Sequence, residues 1–408
     1  MEKLGILFCG SGGAVASTAI AGLALLRAGL CDETGLPLSG VATSQLIPYG
    51  NLECGGWDLF AASAGMAVRH HEVVPPHLAM QVARELEEIR PFPAIAFEDS
   101  GSPVQGAHLA SVGSRREAVD LVRRDISNFR LQRKLRRCVM INVASVERII
   151  DTTASELADL GAFEAALDAN SATITPSMIY AYAALKEGLP YANFTPSAVL
   201  DAPALRDLAR QAKLPIAGKD GKTGQTFLKT VVAPAFRSRN LVVDGWYSAN
   251  LLGNRDGLAL SDPRLKESKI NTKSGVLDSI LGYQVRDHIV DITYYRPRGD
   301  NKESWDNIDI RGFLGMPMQI KINFLCRDSV LAAPLVIEIA RLLDLAQIRG
   351  ESGVQEQLSS FFKAPYSADA GEPPGSFSDQ DRALKDWLAK SVGQENLAPT
   401  LSALALDA

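Results

Sequence analysis

The 408-residue chain is 46% apolar and 22% charged, with 42 Lys and Arg against 47 Asp and Glu for a formal net charge of −5. This is a globular composition with room for two or three domains. It argues against a disordered or fibrous chain, a nucleic-acid-binding domain and a polybasic membrane anchor. Five cysteines (Cys9, Cys31, Cys54, Cys138, Cys326) show no CxxC spacing, so they read as reduced thiols of a cytoplasmic protein, not as a disulfide framework or zinc site.

No charged residue occurs from Leu4 to Leu26, a run that a secretory signal or a membrane span could also show. Its glycines favour a third reading. Leu4 to Cys9 is a short buried strand, Gly10-Ser11-Gly12-Gly13 a turn, and Ala14 to Leu26 a small-residue helix ending near Arg27. Strand, glycine turn and helix in that order make a dinucleotide-binding unit, where residues without side chains admit a pyrophosphate to the helix N-terminal amides. Val15 stands where the third glycine of the standard spacing belongs. For the acid that holds a ribose, Asp32 and Glu33 lie at the usual separation, but Asp58 in Gly55-Gly56-Trp57-Asp58 is more suggestive. Asp58 reads equally well as a helix cap before Leu59-Phe60.

Prolines at 75, 76, 91 and 93 surround a helical stretch, and Ser114 to Lys134 has helical period, with Arg115, Arg116, Arg123 and Arg124 read as a solvated face. Strands are predicted at 137–143 and 240–244, and helices over 177–187, 226–235 and 327–345. Residues 288–295 and 319–324 alternate at period two, which marks a second, half-buried sheet. Residues 373–378 read as a loop. Alternating strands and helices indicate an α/β architecture.

The five histidines lack HxxxH or HExxH spacing and no GxSxG elbow is present, so metal use stays open and lysine stands out instead. Lys266, Lys269 and Lys273 are spaced to stack on one helix face, either as a solvated basic face or as cations converging on a phosphate. Lys302 and Lys363 are further candidates; Lys363 follows two phenylalanines and precedes Ala-Pro, an odd place for a freely solvated amine. Lys222-Thr223-Gly224-Gln225-Thr226 suits a phosphate monoester at a loop-to-helix junction, or Thr223 simply caps the helix.

Several blocks in order resemble the myo-inositol-phosphate synthase family. They are Ile216-Ala217-Gly218-Lys219-Asp220-Gly221-Lys222-Thr223-Gly224-Gln225-Thr226, Asn250-Leu251-Leu252-Gly253-Asn254-Arg255-Asp256-Gly257, Ser268-Lys269 with Lys273-Ser274, Gly299-Asp300-Asn301-Lys302, Asp328 to Pro334, and Phe362-Lys363-Ala364-Pro365. The likeness spans nearly the whole chain, including the glycine turn and Gly56-Trp57-Asp58. It implies a homotetramer whose Rossmann-like NAD domain comes from both chain ends (1–226 plus 328–408), with an inserted α+β catalytic and tetramerisation domain (227–327). It also implies cyclisation of glucose 6-phosphate to an inositol phosphate through oxidation, enolisation, aldol closure and re-reduction with one NAD. By carry-over, Lys269 is the proton shuttle, Lys363 an acid/base and oxyanion partner, and Lys273 and Lys302 bind phosphate and developing charge. Thr223, Gly224, Gln225 and Thr226 cradle the phosphate, while Leu252 and Asn254 line the sugar. Gly10, Gly12, Gly13, Ala14, Val15, Asp58, Asp220, Asp256 and Asp328 match the NAD-contacting positions.

Two departures concern the pocket wall. Ala144-Ser145-Val146-Glu147 has an isopropyl group where the family often carries a threonine hydroxyl, and Asn193-Phe194-Thr195-Pro196 has a bulky ring where an Asn-Gly-x-Pro pattern is usual. They keep a paralogue in view that closes a five-membered cyclitol phosphate from fructose 6-phosphate. An inactive NAD-binding sensor or scaffold and an open-ended dehydrogenase are the other readings.

Overall fold

The uncharged opening segment folds as strand, turn and helix. β1 (Leu4–Cys9) is buried along its whole length, as expected of a strand inside a parallel sheet covered on both faces. α1 (Ala14–Arg27) follows the turn and buries Ala16, Ala19, Ala21 and Ala24, whose small side chains let it sit close to its neighbours. The computed structural model describes residues 2–41, 45–100, 106–253, 277–299, 301–368 and 374–390.

The first half of the chain then alternates strands and helices. The strands are β2 (Leu52–Asp58), β3 (Phe92–Pro93), β4 (Arg137–Asn142), β5 (Tyr191–Asn193) and β6 (Pro215–Gly218). The helices are α2 (Ala64–His71), α3 (Pro76–Gln81), α4 (Ala83–Glu88), α5 (Arg115–Arg133), α6 (Leu160–Asp168), α7 (Pro176–Lys186), α8 (Pro203–Gln211) and α9 (Gly224–Ser238). Next come β7 (Val242–Leu252), β8 (Asp287–Tyr294), β9 (Asn301–Arg311) and β10 (Pro317–Arg327), before α10 (Asp328–Ile348), β11 (Gly353–Val354) and α11 (Phe377–Ala389).

Two sheets result. The first has seven strands in the order β11-β6-β5-β4-β1-β2-β3, every pair parallel. α1 and α10 contribute to the core on one face, α5 and α7 to the core on the other. The second has the order β10-β9-β7-β8, with β7 and β8 parallel and the remaining pairs antiparallel. The expected α/β architecture with a second sheet is therefore present.

Three expectations need correction. The strand expected at 240–244 begins at Val242 and runs to Leu252, and the helix expected from Thr226 begins at Gly224 and runs to Ser238. β9 escaped notice because its inward positions begin with Lys302, Ser304 and Asp306 before reaching Ile308 and Ile310, so polar residues hide the alternation. Arg115 is no part of a solvated face: only 3% exposed, it donates to Ile174 O (2.8 Å), Asn170 O (2.9 Å) and both Asp99 carboxylate oxygens (2.6 and 2.7 Å). Arg123 and Arg124 are exposed as expected. Among the described residues, no helix is long and apolar enough to cross a membrane.

Candidate active site

A cleft of about 330 Å³ opens at the carboxyl ends of β1, β2, β4, β5 and β6. The sheet order reverses between β1 and β4, which is where an open α/β sheet binds its ligand. Gly10, with φ +89°, starts the turn, and its N–H and that of Ser11 donate to Trp57 O at 2.9 and 3.0 Å. Side chains here would fill the cradle: a Cβ on Gly10 would lie 2.9 Å from the Ala144 backbone, and one on Gly12 3.0 Å from the Asp58 carboxyl carbon. No side chain caps α1 at Gly13, so its first amides remain available to an anion. Val15 lines the same cleft from the first turn of the helix. These residues fit a dinucleotide.

Asp58 ends β2 and reaches across to this turn. Its Oδ2 accepts from Gly12 N–H (2.8 Å) and its Oδ1 from Phe60 N–H (3.0 Å). The next helix begins only at Ala64 and is capped by Ser63, so Asp58 is not a helix cap. Burial pushes its carboxyl above the ordinary range, while the two N–H bonds and nearby His71 and His108 pull it back. His71 Nε2 donates to Gly12 O (2.9 Å) and His108 Nδ1 to Asp58 O (3.2 Å). Asp32 and Glu33 do not line the cleft.

On the other side, segments far apart in sequence bring cations and carboxylates together. Lys363 Nζ lies 2.8 Å from Asp220 Oδ1, with side chains only 10% and 7% exposed. Lys302 Nζ lies 3.3 Å from Asp328 Oδ2 at the start of α10. Gly224, with φ +56°, opens α9 under Lys302, whose Nζ is 3.3 Å from where a Cβ would stand. Thr223 occupies the cap position of α9 but makes no capping bond, which removes the capping explanation of its hydroxyl. Asp220, Thr223, Asp328 and Lys363 line the same cleft as Gly10, Gly12, Gly13, Ala14, Val15 and Asp58.

Lys302, Gly224, Gln225, Thr226 and Leu252 do not line it. The Gln225 amide donates to Ala249 O (3.2 Å) and Trp305 O (3.3 Å) and accepts from Asn250 Nδ2 (2.6 Å), tying α9 to β7 and β9. Thr226 is buried, and Leu252 packs with Val290 and Ile292 at the end of β7. Lys266, Lys269, Lys273, Asn254 and Asp256 lie outside the described residues.

Glu147 and Lys229 have no candidate role in the sequence reading, and Lys222 enters it only as part of the Lys222–Thr226 block. Glu147 lines the cleft with Oε1 accepting from Ser177 N–H (2.9 Å), and burial raises its carboxyl; its position in a block that departs from the family pattern was the available signal. Burial lowers Lys222 to about 7, but its Nζ points to Gln380 on α11 rather than into the cleft. Lys229, on α9, is lowered to about 8 by burial, against the pull of Asp306, and its Nζ meets His288 Nε2 at 2.7 Å.

A family model of NAD-binding chains, described as myo-inositol-1-phosphate synthase, matches residues 37–389. The chain belongs to the myo-inositol-1-phosphate synthase family. It is 39% identical to inositol-3-phosphate synthase 1 of Bacteroides thetaiotaomicron, over 96% of each chain. The crystal structure of inositol-3-phosphate synthase from Caenorhabditis elegans shares its fold with a TM-score of 0.86 at 24% identity, covering 97% of this chain and 90% of that one. A myo-inositol-1-phosphate synthase-related protein from Thermotoga maritima matches with a TM-score of 0.77 at 25% identity, covering 95% and 99%. The chain is thus an enzyme of the inositol-phosphate synthase type, in an NAD-binding family.

Proposed function

We propose that this synthase converts glucose 6-phosphate to myo-inositol 3-phosphate by internal oxidation, enolisation, intramolecular aldol closure and re-reduction. The observation that carries the reading is the meeting of a glycine cradle with the Lys363–Asp220 pair in one cleft, beside Lys302 and Asp328. Alkoxide, enolate and aldol oxyanion each need a cation or proton donor held in place beforehand. NAD, when bound, supplies a reversible oxidation of one sugar carbon with no net redox change. Gly10, Gly12, Gly13, Ala14, Val15, Asp58, Asp220 and Asp328 are the residues that would hold it, with Asp256 added by resemblance.

Within this reading Lys363 exchanges a proton with a sugar oxygen, and Asp220 fixes the amine. Lys302, the Thr223 hydroxyl and the first backbone amides of α9, those of Gly224, Gln225 and Thr226, take the phosphate, since those amides have no partner within the helix. The Gln225 side chain holds the helix against the second sheet. Lys269 keeps the shuttle role at the C5 oxygen, Lys273 a share of the charge, and Leu252 and Asn254 the sugar wall, all by resemblance.

We also take residues 1–226 plus 328–408 as the cofactor domain and 227–327 as the insertion. The first sheet draws on residues 4–218 and 353–354, the second on 242–327, which supports this division. A homotetramer is supported by the apolar residues left open at the β9–β10 connection and on the second sheet: Phe313 is 88% exposed, Leu314 80% and Leu325 60%. Light scattering on the purified chain tests it.

Product NMR after incubation with NAD⁺ and either glucose 6-phosphate or fructose 6-phosphate tests the chemistry. A six-membered cyclitol phosphate from glucose 6-phosphate supports the reading, and a five-membered one from fructose 6-phosphate replaces it with the paralogue. Net NADH accumulation points to a dehydrogenase, and no reaction to a binding protein. The 39% identity to a protein named inositol-3-phosphate synthase supports the first outcome.

A further inference from the structure

Phe194 is part of a size-matched pair. It follows β5, lines the cleft and meets Phe362 edge-on, with centroids 6.3 Å apart. Its partner in size is Gly221: a Cβ built there would fall 2.0 Å from Cζ of the Phe194 ring and 2.1 Å from Cε1. The Gly221 backbone lies outside the left-handed region, so the ring, and not φ, excludes a side chain. Phe194 thus fills the space that any larger residue at 221 would need.

The ring stands where three segments join. Gly221 N–H donates to Phe194 O (3.0 Å), Asp220 N–H to Thr195 O (3.1 Å), and Lys363 N–H to Asp220 O (2.6 Å). Gly221 also bridges antiparallel to Phe362. The segments that Phe194 touches are therefore the ones that carry Asp220 and Lys363, whose ion pair is nearly buried. The ring packs against the backbone at Gly221 and the side chain of Phe362, the neighbours in sequence of Asp220 and Lys363.

We propose that Phe194 is a positioning residue for the Asp220–Lys363 pair, and that Phe194 and Gly221 together set the width of the cleft beside β5 and β6. The inference rests on the cyclising function proposed above. Displacing a reacting group by about 1 Å is enough to lower turnover about 100-fold, so the fit of this wall acts on kcat.

The test compares the full-length wild-type chain with F194G, F194L, G221A and F194G/G221A. For each, kcat and KM for glucose 6-phosphate, the NAD dissociation constant from fluorescence titration, and Tm are measured. F194G and G221A are each expected to lower kcat at least tenfold, with KM and NAD affinity changed less than threefold. F194L, which keeps apolar bulk, retains at least a third of wild-type kcat. The double variant is no slower than F194G alone, because the added methyl then enters empty space. The positioning role is overturned if wild type cyclises normally while G221A stays within twofold of its kcat, or if the two single losses multiply in the double variant. If F194G does not fold, G221A and F194L carry the same comparison. A wild-type chain that forms no cyclitol phosphate overturns the functional reading itself, and the positioning role falls with it.

Discussion

Lys363 and Asp220, 143 positions apart in the chain, meet at 2.8 Å across the cleft wall. Replacing Lys363 by Met removes the amine and leaves a nearly buried carboxylate without its cation. Turnover is expected to fall by about 100-fold to 10,000-fold, the range for a lost acid/base group, and stability by about 3 kcal/mol. In K363M/D220N the unpaired charge is gone, so Tm recovers while turnover does not. Activity assays and thermal melts on both variants separate the two effects.

Asp58 holds the glycine turn through Gly12 N–H at 2.8 Å. Asp58→Ala removes a charge-assisted bond and is expected to weaken NAD binding about 10-fold to 100-fold, or about 1.4–2.8 kcal/mol. Burial raises the carboxyl, so on acidification NAD affinity starts to fall at a higher pH than an ordinary aspartate would give. Titration with NAD⁺ followed by the protein's tryptophan fluorescence between pH 4 and pH 8 checks both statements.

Arg115 serves backbone carbonyls at Asn170 and Ile174 as well as Asp99. Arg115→Ala strips the buried Ile174 carbonyl and the partly exposed Asn170 and Asp99 acceptors of their donor, and a loss of about 3 kcal/mol is expected. Arg115→Lys recovers little, since a single ammonium cannot reproduce the planar fork. NAD affinity stays unchanged. Denaturant melts beside binding titrations show whether the residue acts on the fold alone.

Asp344 on α10 has a side chain only 1% exposed and forms an ion pair with Arg137, Oδ1 lying 2.8 Å from Nε. Burial outweighs the arginine and pushes its carboxyl up to about 6 from 3.8. A carboxyl with a raised folded value stabilises the fold when protonated. Its contribution is therefore complete below pH 3.8 and lost as pH rises through about 6. The size is ~3 kcal/mol. Relative to Asp344→Asn, the wild-type Tm should decline between pH 4 and pH 7; a constant difference between the two would contradict this.

The opening unit was legible because glycine and the absence of charge leave few alternatives: Leu4–Cys9, the turn and Ala14–Arg27 fall where expected. Lys363 stood out by its setting between two phenylalanines and Ala-Pro, and its ammonium is indeed nearly buried. Other features depend on contacts between distant segments. β9 places Asp306 inward to accept from Trp246 Nε1 (2.7 Å) and Ser248 Oγ (2.6 Å), so its pattern reads as polar. Arg115 looks solvated until Asn170 and Ile174 fold over it. The ring of Phe194 and the bareness of Gly221 are separate facts in the sequence and one fact in space.

The Gln225 amide has a consequence for reach. It fastens the start of α9 to Ala249, Asn250 and Trp305, while Gly221 and Lys222 just before it bond to Phe194 O and Phe361 O, so in the function proposed above the phosphate seat is anchored to both sheets. In that reading the span a sugar crosses between phosphate and nicotinamide is set where the two sheets are tied together.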